Sequence, residues 1–315
     1  MTVQHLASLK PQVTERSQLR GWLRDALPKL VLAPSFAAVL VFVYGFIGWT
    51  FILSLTNSRA FSSYRYIGFA NYLKLWNWTF EADPPSNWYT AIVNMGLFGG
   101  LYVFFCLALG LGLAILLDQK IRGEGVLRPI YLYPLALSFI VTGTAWKMFL
   151  NPSIGLEKAM HDLGWTSFHF NWVVDPRMMI YCVAIAGVWA SAGFIMALFL
   201  AGLRGIDNEI MKAAQIDGAS PYATYRRIVI PMLRPVFLSA LIVLINMALK
   251  SYDLVLAVTG NNPGGAAELP STFMYSYTFT RDQMAVGSAS AVVMMMTIAA
   301  IMVPYLYSEL REKAR

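Results

Sequence analysis

The sequence predicts an all-α membrane protein with six transmembrane helices. Hydrophobic residues make up 57% of the 315 residues and charged residues only 13%, against about half and about a quarter in a typical soluble domain. The charges are also clustered, and four of the uncharged runs between them are 26 residues or longer. Since a membrane span needs about 20 apolar residues, these runs predict transmembrane helices.

Two of the six predicted spans are less regular than the others. The run between Arg128 and Lys147 has 18 residues, and the run that starts at Val236 contains Lys250 and Asp253. The first of these runs is nearly long enough for a span, and the second is long enough. The predicted spans are 30–55, 92–117, 128–150, 179–203, 236–259 and 284–308.

The distribution of Lys and Arg predicts the orientation, because positive loops stay in the cytoplasm. One side collects 16 of the 24 basic residues, the other side six, and two fall inside spans. We therefore expect a cytoplasmic N-terminal tail at 1–29, a transmembrane domain at 30–308 with a cytoplasmic loop at 204–235, and a cytoplasmic C-terminal tail at 309–315. This bias explains the net charge of +7, so a nucleic-acid partner is not needed.

The loop at 204–235 contains the start and stop signals of two short helices. Asp207 is a helix N-cap and Glu209 places negative charge in the first turn. Gly218 is a stop signal, and Ser220 followed by Pro221 is a second N-cap with proline at the first helical position. The pattern predicts two short helices around a glycine elbow, a rigid surface feature suited to a partner's socket.

The same loop resembles the EAA loop of ABC importer permeases. AAQIDGAS, followed by IVIP at 228–231, matches the family pattern E-A-A-x-x-D-G-A and, after a spacer, I-x-L-P. Lys212 stands where the family usually has glutamate, and Ile230 where it has leucine. An ordinary capped helix–turn–helix is the alternative. The resemblance implies the following ATPase-coupling residues: Ala213, Ala214, Asp217, Gly218, Ala219 and Ser220.

Other segments extend the resemblance to the carbohydrate branch of this family. They are SYDLVLAVTGNNPGG at 251–265, where Asn261 and Asn262 replace two glycines of a T-G-G-G-P-like loop, and TFMYSYTF at 272–279. YLYPLALSFIVTGTAWKMFLNP and MALFLAGLRGID are similar to the first permease of proteobacterial glucose/mannose importers.

The resemblance implies a type I ABC importer permease architecture in the inner membrane. It implies a second homologous permease, a cytoplasmic ATPase pair that uses ATP and Mg²⁺, a periplasmic sugar-binding protein, and glucose, mannose or a related sugar as substrate. This chain has no G-x-x-x-x-G-K-[ST] phosphate loop, so we expect it to bind no cofactor and to be no enzyme.

Polar residues within the spans mark a candidate substrate path. An ionisable side chain inside a membrane normally faces a cavity or a partner. Lys250 and Asp253 are expected on one face of the fifth span, where they either contact solute or a gate, or form a structural ion pair within or between subunits. Neighbouring polar and aromatic groups suit the hydroxyls and the C–H face of a sugar. The candidate path residues are Asn246, Lys250, Tyr252, Asp253, Trp189, Ser191 and Trp146.

The outer loops and the histidines carry weaker signals. The segment 61–80 is dense in aromatic residues, which predicts a short interfacial helix and either a landing surface for an outer partner or an ordinary aromatic belt. His5, His161 and His169 lie in the tail or outer loops without Zn-ligand spacing or evident partners. We therefore expect no metal site.

Two other classes of function are compatible with a polytopic membrane protein. A membrane-embedded enzyme would need a catalytic constellation, and the spans contain no histidine or paired carboxylates. An ion-gradient-driven secondary transporter usually has repeated halves with helices broken at the membrane midplane. The sequence shows no such pair.

Overall fold

The computed structural model describes residues 28–61, 63–76, 87–119, 123–260 and 266–313. Every regular element in these ranges is a helix, and an isolated antiparallel bridge joins Thr56 to Tyr66, which confirms the all-α class. The backbone forms two compact units, Met1–Ile52 and Leu53–Arg315. Most of the predicted N-terminal tail and the two asparagines at 261–262 lie outside the described residues.

The first predicted span is the helix Pro28–Ser54 (α1), against an expectation of 30–55. Its hydrogen bonding widens to a π-helical turn over Leu40–Gly45. Large apolar side chains project from it, with Leu30 73% and Phe42 65% exposed. A continuous apolar surface of this kind is stable only against lipid or another protein.

The remaining helices are numbered in chain order. They are α2 Ala70–Trp76, α3 Asn87–Asp118, α4 Glu124–Ala136, α5 Phe139–Phe149, α6 Leu156–Asp162, α7 Met179–Arg204, α8 Asn208–Ile216, α9 Pro221–Met232, α10 Arg234–Leu249, α11 Tyr252–Thr259, α12 Pro270–Tyr275 and α13 Met284–Lys313. In the described ranges, two further π-helical segments occur, Tyr225–Val229 within α9 and Ser276–Thr280 after α12.

Among the described residues, four helices are long and apolar enough to cross a membrane without interruption: α1, α3, α7 and α13. They match the predicted first, second, fourth and sixth spans. Two bent helix pairs, α4 with α5 and α9 with α10, bring the number of candidate spans to six if each pair counts as one.

The third span is not the straight helix predicted at 128–150. The chain bends by 99° between α4 and α5. Pro134 lies in the last turn of α4, and Ser138 caps α5 by accepting a hydrogen bond from the Val141 amide at 3.3 Å. Two prolines in α4 and a new N-cap therefore end one helix and begin another.

The fifth span, predicted as one helix over 236–259, is also interrupted. α10 ends at Leu249, and α11 begins at Tyr252 after a tight turn in which the Tyr252 amide donates to the Lys250 carbonyl at 2.8 Å. α9 and α10 meet at a bend of 64°. The expectation of unbroken spans was therefore wrong at two places.

The core of the larger unit forms around α7, which packs most extensively against α3. Glycines permit the close approach. A Cβ on Gly110 of α3 would lie 2.6 Å from Cγ2 of Ile195, and a Cβ on Gly193 would collide with the Tyr131 carbonyl of α4. In lipid, helices associate through such close contacts of small residues.

A second close contact joins α5 to α11. A Cβ on Gly143 would lie 2.5 Å from the Ala257 Cβ, and the Lys147 ammonium lies directly over Gly260, the αL residue that ends α11. A positive charge at this position also stabilises the C-terminal end of α11, because a helix carries partial negative charge there. α5 and α11 are therefore in close contact at two places along their length.

The contact at Gly193 gives a stability prediction. Gly193→Ala forces α4 away from α7, and we expect a loss of roughly 1–3 kcal/mol, measured as a lower melting temperature of the protein in detergent. Gly100→Ala in α3 is the matched control, because nothing lies within 4 Å of its Cβ position. Equal melting of the Gly193→Ala and wild-type proteins would contradict this packing.

Candidate functional site

The first helix of the 204–235 loop begins as the sequence predicts. Asp207 has extended backbone torsions, and its carboxylate accepts a hydrogen bond from the Glu209 amide at 2.9 Å. This bond satisfies one of the free amides at the start of α8. The carboxylate of Glu209 lies in the first turn, where the helix dipole favours negative charge.

The elbow after α8 is a Schellman motif centred on Gly218. The Ala219 amide donates to the Ala214 carbonyl at 3.0 Å, and the Gly218 amide donates to the Gln215 carbonyl at 3.1 Å. Gly218 has a φ of 74°, which a residue without a Cβ adopts at little cost. The predicted need for glycine is confirmed.

The second helix, α9, begins with the predicted cap. The Ser220 hydroxyl accepts from the Ala223 amide at 3.3 Å, and Pro221 occupies the first helical position. The helix continues through Pro231 to Met232. A π-helical turn, closed by the Ile230 amide donating to the Tyr225 carbonyl, precedes that proline.

The segment 207–232, which contains the two helices α8 and α9 and is here called the knob, has an exposed tip and a buried base. Ile216 is 86% and Tyr222 71% exposed, while Val229 and Leu233 are each 1% exposed in the main core. Among the predicted coupling residues, Ala214 is buried and Ala219 is half-buried. The others are exposed: Ala213, Asp217, Gly218 and Ser220.

A polar cavity of about 340 Å³ lies under the knob. It is lined by Asp118 of α3, by Arg204 at the end of α7, and by Asn208, Gln215 and Tyr225 of the knob, among others. The Arg204 guanidinium also forms an ion pair with Glu124 of α4. The knob thus meets the helices at their ends and retains a polar space beneath it.

The structure brings some predicted path residues together and separates others. The Trp146 and Trp189 rings lie edge to face, with centroids 6.0 Å apart. Ser191 is fully buried and accepts a hydrogen bond from the Tyr102 hydroxyl at 2.7 Å. Ser191 therefore does not face a solute path in this structure, and its partner Tyr102 was not identified from the sequence.

Lys250 and Asp253 do not share a helical face, because the helix breaks between them. Lys250 follows the end of α10, and Asp253 lies in the first turn of α11. Within the described residues they form no ion pair, and both are exposed. The chain therefore lacks the ion pair between these two residues that was expected within one subunit, and an ion pair between subunits stays a prediction. Asn246, one turn before the break, is half-buried.

Tyr252 belongs to an aromatic row that the sequence did not indicate. Its ring lies 4.7 Å from that of Tyr275, which lies 5.1 Å from Phe279. Both partners come from the TFMYSYTF segment, whose four-residue spacing of Tyr275 and Phe279 was the available signal.

A buried carboxyl group lies between α11 and α12, outside the predicted spans. Glu268 is 3% exposed. The side-chain amide of Asn94 fixes the backbone here by donating from Nδ2 to the carbonyls of Ala266 and Glu268, at 2.9 and 3.1 Å. Burial raises the pKa of Glu268 to about 7, and the charge of Arg281 lowers it in part.

The histidines of the outer loop have partners, contrary to expectation. His169 Nδ1 lies 3.1 Å from a carboxylate oxygen of Glu157, and His161 Nε2 lies 2.8 Å from the Phe168 carbonyl. The chain folds back between them, which a search for linear ligand spacing does not detect. His5 lies outside the described residues.

The structure has apolar helices as long as a membrane span, two bent helix pairs, and a knob that is capped and exposed. Together these features define a polytopic membrane transport subunit. The model of the family of binding-protein-dependent transport system inner membrane components matches residues 106–312. The chain belongs to this family. A probable ABC transporter permease protein of Pyrococcus horikoshii is 38% identical over 280 residues, which cover 88% of this chain and 94% of that protein.

Sugar permeases are among the relatives. The trehalose/maltose transport system permease protein MalF of Thermococcus litoralis is 31% identical and covers 88% of this chain, with 91% of its own length matched. The xylose/arabinose import permease protein XacH of Haloferax volcanii is 31% identical, with 88% and 86% covered. The fold resembles that in the crystal structure of a bacterial ABC transporter that imports alginate, with a TM-score of 0.77, 21% identity and coverage of 93% and 98%.

The chain is therefore a permease subunit of a binding-protein-dependent ABC sugar importer, a multi-pass protein of the inner membrane with type I permease architecture. Subunits of this class have no ATPase site of their own, and hydrolysis takes place on a separate subunit. This assignment replaces the gradient-driven transporter and the membrane enzyme considered from the sequence.

Glu268 gives a prediction for the dependence of stability on pH. Because its pKa is raised in the folded state, the folded protein binds the proton more tightly than the unfolded chain between about pH 4.3 and 7. Stability should fall across this window as pH rises, on the order of 3 kcal/mol, and stay level above it.

Glu268→Gln should remove this slope and raise the melting temperature at neutral pH. Thermal unfolding in detergent at pH 5, 6, 7 and 8 measures how stability depends on pH. Glu209→Gln, at an exposed position, is the control. An unchanged pH slope in Glu268→Gln would show that another group is responsible.

Proposed function

We propose that the knob 207–232 is the surface through which a cytoplasmic ATPase drives this permease. The single observation that carries the proposal is its construction: two capped helices fixed by a Schellman elbow, with Ile216 and Tyr222 exposed at the tip. A rigid apolar tip suits a socket on a partner. In this proposal the loop lies at the cytoplasmic membrane surface, and the ATPase subunit, which binds ATP and Mg²⁺, acts on it there.

The proposed orientation places both termini and the knob in the cytoplasm. It is supported by the excess of Lys and Arg in those segments. Arg226 and Arg227 on the knob are exposed. The loops that follow α5 and α11 then face outwards, toward the proposed sugar-binding protein.

A second, homologous permease is the proposed partner within the membrane. Lys250 and Asp253 are exposed in this chain. Trp189 is 42% exposed, and many apolar side chains are also exposed. Charged groups at membrane depth require a water-filled path or a protein partner. A heterodimer that encloses the broken fifth span between its halves provides both.

The proposed translocation path runs along the break in the fifth span. Lys250, Ser251 and Tyr252 interrupt the helical hydrogen bonding, and irregular backbone at membrane depth is tolerated where it lines a cavity. Asn246 and Asp253 flank the break. The Trp146–Trp189 pair and the Tyr252–Tyr275 pair offer aromatic faces, which suit the apolar side of a sugar ring.

An outer cleft of about 330 Å³ is the proposed landing site for the binding protein. Arg59, Lys74 and Arg281 contribute three cations to its lining, and Asp282 one anion. Phe61 nearby in the chain is 88% exposed, and the predicted aromatic-loop helix is present as α2. Positive charge at a rim favours fast association with an acidic surface.

We further propose glucose, mannose or a closely related sugar as the substrate, on the strength of the segments that resemble glucose/mannose importers. Uptake of labelled glucose by the reconstituted importer, inhibited by unlabelled mannose, is the expected result. The control is an unlabelled sugar alcohol, which lacks the ring. Uptake of a disaccharide without any uptake of glucose or mannose would replace this substrate by another.

The elbow provides the test of ATPase coupling. Nothing lies within 4 Å of a Cβ on Gly218, so Gly218→Val adds only the strain of a branched residue at φ 74°. That strain, about 1–2 kcal/mol, should distort the knob while the protein still inserts. Gly218→Asn is the matched control, because asparagine tolerates this conformation.

In proteoliposomes with the second permease and the ATPase pair, a sugar-loaded binding protein should stimulate ATP hydrolysis. We expect a decrease on the order of tenfold for Gly218→Val and wild-type stimulation for Gly218→Asn. Normal hydrolysis and uptake by Gly218→Val at normal membrane levels, or ATP turnover by the isolated chain, would refute the proposed coupling.

The break in the fifth span provides the test of the path. Because Lys250 and Asp253 do not pair within this chain, the double variant Lys250→Met, Asp253→Leu should assemble normally yet reduce sugar uptake several-fold. Lys158→Met with Asp162→Leu, which removes an exposed ion pair of 2.8 Å, is the matched control. Wild-type uptake by the Lys250, Asp253 variant would exclude both residues from the path.

A further inference from the structure

Three potential metal ligands meet on the loop between α5 and α7. Glu157 and His161 lie one turn apart on α6, and His169 comes from the returning chain. Each residue offers one ligand atom, and the three atoms lie within 4.8 Å of one another. Two of the chain's three histidines therefore converge on one carboxylate.

The loop backbone holds this arrangement. α6 ends in a Schellman motif, in which Gly164 has a φ of 94° and the Trp165 amide donates to the Met160 carbonyl at 2.9 Å. This motif turns the chain back toward α6. The returning segment is fixed by Phe170, which packs against the main core and stacks on Trp172 at 4.9 Å.

Two of the three potential ligands, His161 and Glu157, also have the outer hydrogen bonds that orient metal ligands in proteins. His161 Nε2 lies 2.8 Å from the Phe168 carbonyl. When this nitrogen donates its hydrogen, Nδ1 carries the free lone pair. The second carboxylate oxygen of Glu157 accepts from the Phe170 amide at 3.1 Å. Partners of this kind fix ring tautomer and carboxylate orientation at metal sites.

The neighbouring charges leave Glu157 available to a cation. Lys158, the adjacent residue, pairs with Asp162 at 2.8 Å, so its ammonium is already neutralised. The His169 side chain is 74% exposed and that of Glu157 13% exposed. The carboxylate is thus held within the loop, while one imidazole faces the solvent from which an ion would arrive.

We propose that Glu157, His161 and His169 bind a Zn²⁺ ion. Two imidazoles and one carboxylate are a donor set that suits zinc, with Zn–N and Zn–O distances of about 2.0–2.2 Å. Ligand atoms of a tetrahedral site lie roughly 3.3–3.5 Å apart at such distances, so closure requires side-chain movements of about 1 Å. Three protein ligands leave one position for water.

Binding of the ion links α6 to the segment 168–170. The ion occupies the space between His169 and Glu157, and any proton on the imidazole that becomes a ligand is released to the solvent. The loop would be rigid when the ion is bound.

The experiment is a Zn²⁺ titration of the full chain, free of any histidine tag, in detergent and in competition with a chromophoric chelator. We expect one equivalent of Zn²⁺ per chain with a Kd of about 1 µM or tighter. His161→Gln, His169→Gln and Glu157→Gln should each reduce the affinity tenfold or more. His5→Gln and Lys158→Gln are the controls and should bind as the wild type does.

Co²⁺ gives an independent measurement, because a four-coordinate site produces an intense visible absorption that water-bound Co²⁺ lacks. The band should appear with the wild-type protein and disappear in His169→Gln. Since His169 is exposed, this variant should melt like the wild type without metal, which separates a lost ligand from a lost fold. A wild-type melting temperature raised by Zn²⁺, and unchanged by Zn²⁺ in His169→Gln, supports the site.

Two results would overturn the proposal: less than stoichiometric Zn²⁺ binding at about 100 µM, or unchanged affinity in both histidine variants. Either would leave Glu157 and His169 as a simple ion pair. The titration requires neither transport nor ATPase, so its failure would leave the proposed function unaffected.

Discussion

Close packing around α7 is the interaction on which the other elements depend. α7 meets α3 where Ile195 fits against Gly110, meets α4 where Gly193 fits against the Tyr131 carbonyl, and meets the start of α10 at Gly202. Lipid chains are as apolar as leucine side chains, so these helices gain little from hydrophobic burial and associate through fit. The positions of the knob and of the broken fifth span both follow from this support.

The knob combines local rigidity with attachment to that support. Its caps and elbow use only bonds between residues close in sequence, so the knob keeps its shape when it moves. Val229 and Leu233 at its base lie in the core, and the ion pair between Arg204 and Glu124 joins two helix ends nearby. Under the proposed coupling, a displacement of the tip would be passed on to the helices through this base.

The sequence predicted local structure better than contacts between distant residues. Gly218 and Ser220 were placed correctly because caps and αL turns depend on neighbouring residues alone. The interruption at Lys250 was missed, since an apolar run of sufficient length predicts a continuous helix until tertiary contacts favour a turn. Ser191 and His169 were misjudged for a related reason: their partners, Tyr102 and Glu157, are identified only once the chain is folded.

The pair formed by α5 and α11 has a mechanical consequence. Each helix begins directly after an interruption of the backbone, at 137–138 and at 250–251, and the two are joined along their length by Gly143 against Ala257 and by Lys147 over Gly260. Because these contacts join the two helices, a displacement of either helix would act on both. Trp146 of α5 and Tyr252 of α11, two of the candidate path residues, therefore belong to one packed pair.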